Sequence, residues 1–214
     1  MKPAYWLCLV LFSGVVDDCC RSAIVYPKAP DGGRQIVSEG LKSLSRSISR
    51  YLEGHQAEDL TIADPLRDYS FGLTNLVSGQ FLSAAKPGAW RYLLMHGTNA
   101  VAAAELVVGG QNGNPLKFAG LDTSDFSRKT LEGLQRAERL PQVNRQDYEV
   151  RRLDCPSILF VALWLHGKSG DIIIPLPPTF GRWKPYQAYS QSQMMNLLKP
   201  TAIKKLKEPE GKLD

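Results

Sequence analysis

The spacing of apolar and polar residues changes several times along the chain, and each change marks an element. The sharpest signal runs from Gly88 to Gly110. Trp90-Arg91-Tyr92-Leu93-Leu94-Met95 is aromatic and apolar, the texture of a strand. Gly97-Thr98-Asn99 is turn chemistry, and Val101 to Val108 is apolar again, so the stretch reads as a β-hairpin. A loop centred on Thr98 sets the register. Arg91 then faces Glu105, Leu93 faces Ala103 and Met95 faces Val101, all on one side of the hairpin. Trp90, Tyr92 and Leu94 take the other side, opposite Leu106, Ala104 and Ala102. Large rings opposite alanines leave room for a bulky neighbour, and a helix fits there.

Upstream, Val37, Leu41, Leu44, Ile48 and Tyr51 recur at four- and three-residue spacing, the stripe of an amphipathic helix ending near Gly54. Residues 55–87 give no sustained period. Asp64-Pro65 suggests a turn or helix start, and Leu73, Leu76, Val77 and Phe81 a short apolar face. Downstream, Leu116–Leu121 reads as a short third strand. A helix over residues 125–140 follows, capped by Asp122, Thr123 or Ser124 and stopped by Pro141. Tyr148–Leu153 alternates like a strand. Ile158–Leu165 is an unbroken apolar run, expected of a strand buried on both faces. Gly167-Lys168-Ser169-Gly170 turns the chain into Ile172–Ile174, a second hairpin. Beyond Pro175 the prolines mark an irregular segment. Tyr189–Leu198 suggests a last short helix.

This order predicts an α+β fold, an antiparallel β-sheet built from two hairpins with helices packed on one face. The expected organisation has an apolar segment, loop and helical region over residues 1–87 packing on the core. An α+β core follows over residues 88–198, and a charged flexible tail over residues 199–214.

Composition narrows the class. The 214 residues are 43% hydrophobic and 22% charged, which excludes collagen-like, disordered and disulfide-framework chains. A chain of this length buries about 70% of its unfolded surface, enough for a core without staples. No apolar run reaches the length of a spanning helix. Residues 1–16 combine a basic start with a short apolar stretch, like an export signal, but Ser13 and Gly14 are adjacent rather than two apart, a poor cleavage site. Adjacent Cys19 and Cys20 with a lone Cys155 fit reduced thiols better than disulfides. The expected compartment is therefore the cytoplasm, export through an atypical N-terminal signal being the alternative.

Several chemistries fail on spacing. Gly167-Lys168-Ser169 lacks the glycine of a phosphate-binding loop, Ala162 standing in its place, and a strand follows where a helix is needed. No G-x-S-x-G, dinucleotide fingerprint or C-x-x-C occurs, and His55, His96 and His166 are far apart. No cofactor and no metal is expected. Pro175-Leu176-Pro177-Pro178 fits a P-x-x-P ligand, although its place after a buried strand suits a structural stop.

Three polar groupings remain. His166 and Asp171 flank the second turn and face each other, the start of a general-base dyad for a small hydrolase or transferase, with Cys155 or a serine as nucleophile. Arg91 and Glu105 pair across the first hairpin, as a strand-pair ion bridge or a ligand clamp. Lys42, Arg46 and Arg50 form a basic stripe on the first helix, able to meet nucleic acid or an acidic membrane; net charge is +5. With every complete catalytic motif absent, the leading expectation is a non-catalytic interaction or regulatory protein whose partner is another protein or a second copy.

Overall fold

The computed structural model describes residues 24–48, 52, 54–109 and 116–208, with the side chains of residues 45–48 left out. Residues 1–16, Cys19, Cys20, Arg50, Tyr51 and Gly110, and the side chains of Arg46 and Ile48, named above, lie outside the described residues. The fold is a mixed α+β structure built on one nine-stranded, mostly antiparallel sheet.

The hairpin forms as β3 (Lys86–His96) and β4 (Asn99–Val108). Arg91 opposes Glu105, Leu93 opposes Ala103, and Trp90, Tyr92 and Leu94 oppose Leu106, Ala104 and Ala102. The end of the hairpin differs from expectation. His96 pairs with Asn99, so the loop is Gly97-Thr98, and Met95 opposes Ala100 rather than Val101. A register shift next to Leu94 absorbs the difference, which preserves the inner register although the loop is shorter.

β5 (Leu116–Asp122) continues this side as a meander. The other side is a second meander: β6 (Tyr148–Cys155), β7 (Phe160–Gly167), β8 (Ile172–Pro175) and the short β9 (Tyr189–Ser190). The two-hairpin description is thus too coarse, because each hairpin gains strands.

The joint between the meanders is β2 (Thr61–Ser70), in the stretch that showed no period. It pairs antiparallel with β3 and parallel with β6, at the centre of the order β5-β4-β3-β2-β6-β7-β8-β9. Asp64-Pro65 resembles a turn in sequence. Pro cannot donate to a ladder, and here it sits at a register shift between Ile62 and Pro65. Two-residue β1 (Ile24–Val25) also runs parallel to β6.

Helices occupy both faces of the sheet, not one. Strand side chains alternate, so Leu93 and Ala103 point opposite to Leu94 and Ala102. α3 (Phe126–Ala137) packs Leu134 and Ala137 with Leu93, Ala103, Leu163 and Ile174 on the first face. α1 (Gly33–Ile48) packs Val37 and Leu41 with Tyr92, Leu94, Ala102 and Leu106 on the second. Tyr92 opposite Ala104 thus does receive a helix. Short α2 (Leu73–Val77) and α4 (Gln191–Lys207) cover the far end of that second face, over Leu153, Ala162, Trp164 and Ile173.

α4 starts at a reciprocal cap. Ser190 Oγ accepts from the Gln193 amide at 3.3 Å, and Gln193 Oε1 accepts from the Ser190 amide at 2.9 Å. The helix then passes through Pro200 to Lys207, where a frayed tail was expected. Met194, Leu198 and Ala202 stand four residues apart and are fully buried, so packing holds the helix on both sides of the proline.

Candidate functional site

β2 carries a polar residue on each face of the sheet centre. Asp68 belongs to the α3 face and Arg67 to the α1/α4 face, and each builds a different constellation.

On the α3 face Arg91 uses all three guanidinium nitrogens. Nε donates to Asp68 Oδ2 at 3.3 Å, Nη1 to Asp122 Oδ2 at 2.9 Å, and Nη2 to Glu105 Oε1. Arg152 Nη1 donates to the same Asp68 oxygen at 3.2 Å and to Asp154 at 3.3 Å. Burial alone would lower the Arg91 pKa, but Asp68, Glu105 and Asp122 outweigh it and raise it. Burial works against ionised Asp122 too; hydrogen bonds from Ser124 and the charge of Arg91 prevail and hold its carboxyl below the usual range. Asp154 goes the other way: burial, with Asp68 nearby, pushes it up despite Arg152. The Arg91–Glu105 pair is brought together as read, inside a larger network that hairpin reasoning could not see. Its cations are consumed by the protein's own carboxylates, and that makes it a brace across β2, β3, β4, β5 and β6.

The α1/α4 face has the opposite character. The registers place Trp90, Arg67, Arg151, Trp164 and Ile173 in one row across β3, β2, β6, β7 and β8. The Arg67 guanidinium lies 4.7 Å from the centre of the Trp90 ring. That of Arg151 lies 4.5 Å from Trp164 and 5.0 Å from Tyr69. Arg151 Nε also donates to Glu149 at 2.6 Å. Arg67 has no ion-pair partner among the described residues, and its Nη1 is buried without a hydrogen-bond partner. Burial lowers its pKa, against the pull of Tyr69 and Asp68. Two guanidiniums thus stand side by side on a parallel strand pair, with one carboxylate, Glu149, bonded to the second. Arg67 escaped the sequence reading because β2 did. A cross-strand Trp–Arg–Arg–Trp row becomes visible only once the strand order is known.

The sequence-predicted dyad forms at the rim of this face. His166 Nδ1 and Asp171 Oδ1 are 2.7 Å apart, and the same oxygen accepts from Trp164 Nε1 at 3.0 Å. The His166 side chain is 47% exposed and has no further hydrogen-bond partner among the described residues. Cys155 is at the other end of the meander. It pairs with Phe160, six positions along β7 from His166 and therefore about 20 Å away. It is buried, and desolvation pushes its thiol up to about 11, leaving no thiolate for attack. The pair orients a ring, and among the described residues no serine, threonine or cysteine hydrogen-bonds to it.

Lys42 is exposed on α1, while the rest of its stripe lies outside the described residues. Pro175 and Leu176 are buried at the end of β8, so that P-x-x-P segment is part of the core edge rather than a free ligand. Among the described residues no cluster of His, Cys, Asp or Glu is arranged to hold a metal, and no helix is long and apolar enough to cross a membrane. Compared with protein-family models, curated proteins and solved structures, the chain matches none of them.

Proposed function

We propose that the protein is a non-catalytic binding protein that docks an acidic segment of a protein partner on the Trp90–Arg67–Arg151–Trp164 row. The observation behind this reading is Arg67: a guanidinium on the central strand, partly desolvated, with one nitrogen buried and unpaired, beside a second guanidinium. A buried donor without an acceptor costs about 1–3 kcal/mol, and an anion docked there recovers it. Each guanidinium lies over a ring, which leaves the Arg67 N–H edge and the Arg151 nitrogens not bonded to Glu149 for a carboxylate, the planar match for arginine.

The same stacking disfavours nucleic acid. Trp90 and Trp164 are 9% and 5% exposed, so their faces are not free to take bases. The two cations in the row are also few for a phosphate track.

The test is fluorescence anisotropy with a labelled hexaglutamate peptide and a single-stranded oligonucleotide of equal charge. The expected result is salt-sensitive peptide binding, weakened about tenfold or more by combined Arg67→Met and Arg151→Met, an effect of hot-spot size. Preference for the oligonucleotide, or peptide binding indifferent to both substitutions, would overturn the reading. The His166–Asp171 pair gives the second reading, a small hydrolase or transferase, on the strength of its 2.7 Å contact. Turnover of an ester or phosphoester substrate that is lost in His166→Ala would favour it.

A further inference from the structure

A second site lies at the start of α1, away from the arginine row. Gly32 precedes the helix in a left-handed conformation (φ +79°) and accepts from the Ile36 amide at 3.0 Å. The Gly33 amide donates to Pro30 at 3.3 Å, but those of Arg34 and Gln35 find no acceptor among the described residues. Unpaired amides and the helix dipole favour an anion. A helix start alone is common; here a second observation points to a ligand. Tyr92 is 1% exposed, its hydroxyl makes no hydrogen bond to any described residue, and it lines the cavity at these amides. The hydroxyl lies so close to Gly33 that a Cβ at that position would stand 2.1 Å from it. Glycine at 33 therefore leaves room for the hydroxyl of a buried tyrosine to open on the cavity, unpartnered among the described residues, beside two unsatisfied amides.

The cavity holds about 560 Å³, more than a bare oxyanion needs and within the range of small-molecule sites. Lys28 and Arg34 line it, and Tyr26, Pro27, Pro30 and Pro65 supply an apolar wall. Among the described residues Asp64 is the one carboxylate in the lining, and it is bonded to Arg34 at 2.6 Å. We infer that this cavity binds a phosphorylated small molecule, its phosphate on the Arg34 and Gln35 amides, the Tyr92 hydroxyl and Lys28, its organic part against the proline wall. Donors on several sides suit the three terminal oxygens of a phosphate monoester better than the two of a carboxylate.

Calorimetry and amide NMR on the full chain test this with phenyl phosphate, inorganic phosphate and benzoate as probes. Phenyl phosphate should bind saturably and tighter than either other probe, shifting the Arg34 and Gln35 amide signals. Tyr92→Phe removes only the hydroxyl and should weaken binding about fivefold. Asp64→Asn should strengthen it by removing a like charge. Arg67→Met should leave it unchanged, which separates this site from the arginine row. No saturable binding overturns the site, as does a Tyr92→Phe variant of equal affinity or shifts confined to Lys28. Benzoate or inorganic phosphate binding as tightly as phenyl phosphate overturns the ligand class.

Discussion

Arg91 and Arg67 sit on neighbouring strands of one sheet and obey opposite rules. Arg91 is surrounded by three carboxylates, so truncation leaves buried anions without a cation. Arg91→Met should cost roughly 3–5 kcal/mol of stability, read from urea unfolding. Arg67 has no counter-ion among the described residues, so Arg67→Met should raise stability by about 1 kcal/mol while weakening peptide binding at the arginine row. A residue kept at a stability cost is the signature of a site, and destabilisation by Arg67→Met would contradict that. The acids of the brace carry their own pH signs. The folded pKa of Asp122 is lowered, so its contribution is present above the ordinary Asp range and lost as pH falls through the folded value. That of Asp154 is raised, so its ionisation favours the unfolded chain. Asp154→Asn should therefore stabilise at pH 7, the gain vanishing as pH falls below about 4, whereas Asp122→Asn should destabilise at pH 7. Melting curves across pH would show both. Of this brace, only Arg91–Glu105 was legible in sequence, because a tight turn keeps partners within one hairpin and the shift next to Leu94 restores the register that a loop centred on Thr98 predicts. Asp122 read as a helix cap, but the cap position falls at Asp125, and Asp122 instead accepts from the Ser124 amide at 2.9 Å in the turn before the helix.

Elements were legible where period and local chemistry agreed, and obscure where packing overrides propensity. α3 and the β3–β4 register followed from spacing and turn residues. β2 did not, because Pro65 and the charges at Asp64, Arg67 and Asp68 break strand alternation. Its neighbours impose the extended form, and ion pairs hold Asp64 and Asp68, while Arg67 stays unpaired among the described residues. α4 was legible only as far as Leu198, because Pro200 reads as a stop and only tertiary burial of Ala202 carries the helix past it. Its cap is local, however, and Ser190→Ala should cost about 1 kcal/mol. α1 meets β5 through Gly40, where a Cβ would stand 2.4 Å from the Phe118 ring. Gly40→Ala must push the ring or the helix away, for an expected loss of about 1–3 kcal/mol despite better helix propensity. Pairing it with Phe118→Leu should recover part of that loss, and a double-mutant cycle measures how much.

At the scale of the molecule, the candidate sites depend on one strand. Arg67 and Asp68 on β2 tie the arginine row and the ionic brace to both meanders. Asp64 and Pro65, also on β2, wall the cavity at α1. The helices lie at opposite ends of the second face, α1 over β3 and β4, α4 over the β7–β8 end, and the row of arginines lies between these packed ends. A sheet held this way should unfold as one unit, since without β2 one meander loses all pairing on its inner edge and the other keeps only two-residue β1. Leu66 is fully buried on that strand, within the α3-side core. Leu66→Ala should cost roughly 2–5 kcal/mol. The loss should appear as one shifted transition, seen alike by backbone circular dichroism and by the fluorescence of Trp90 in one meander and of Trp164 in the other. To separate the reporters, Trp6 and Trp183 are replaced by Phe together with either Trp90 or Trp164. Two transitions, with the Trp90 and Trp164 signals lost at different denaturant concentrations, would show that the meanders fold independently and that β2 is an insertion rather than their common core.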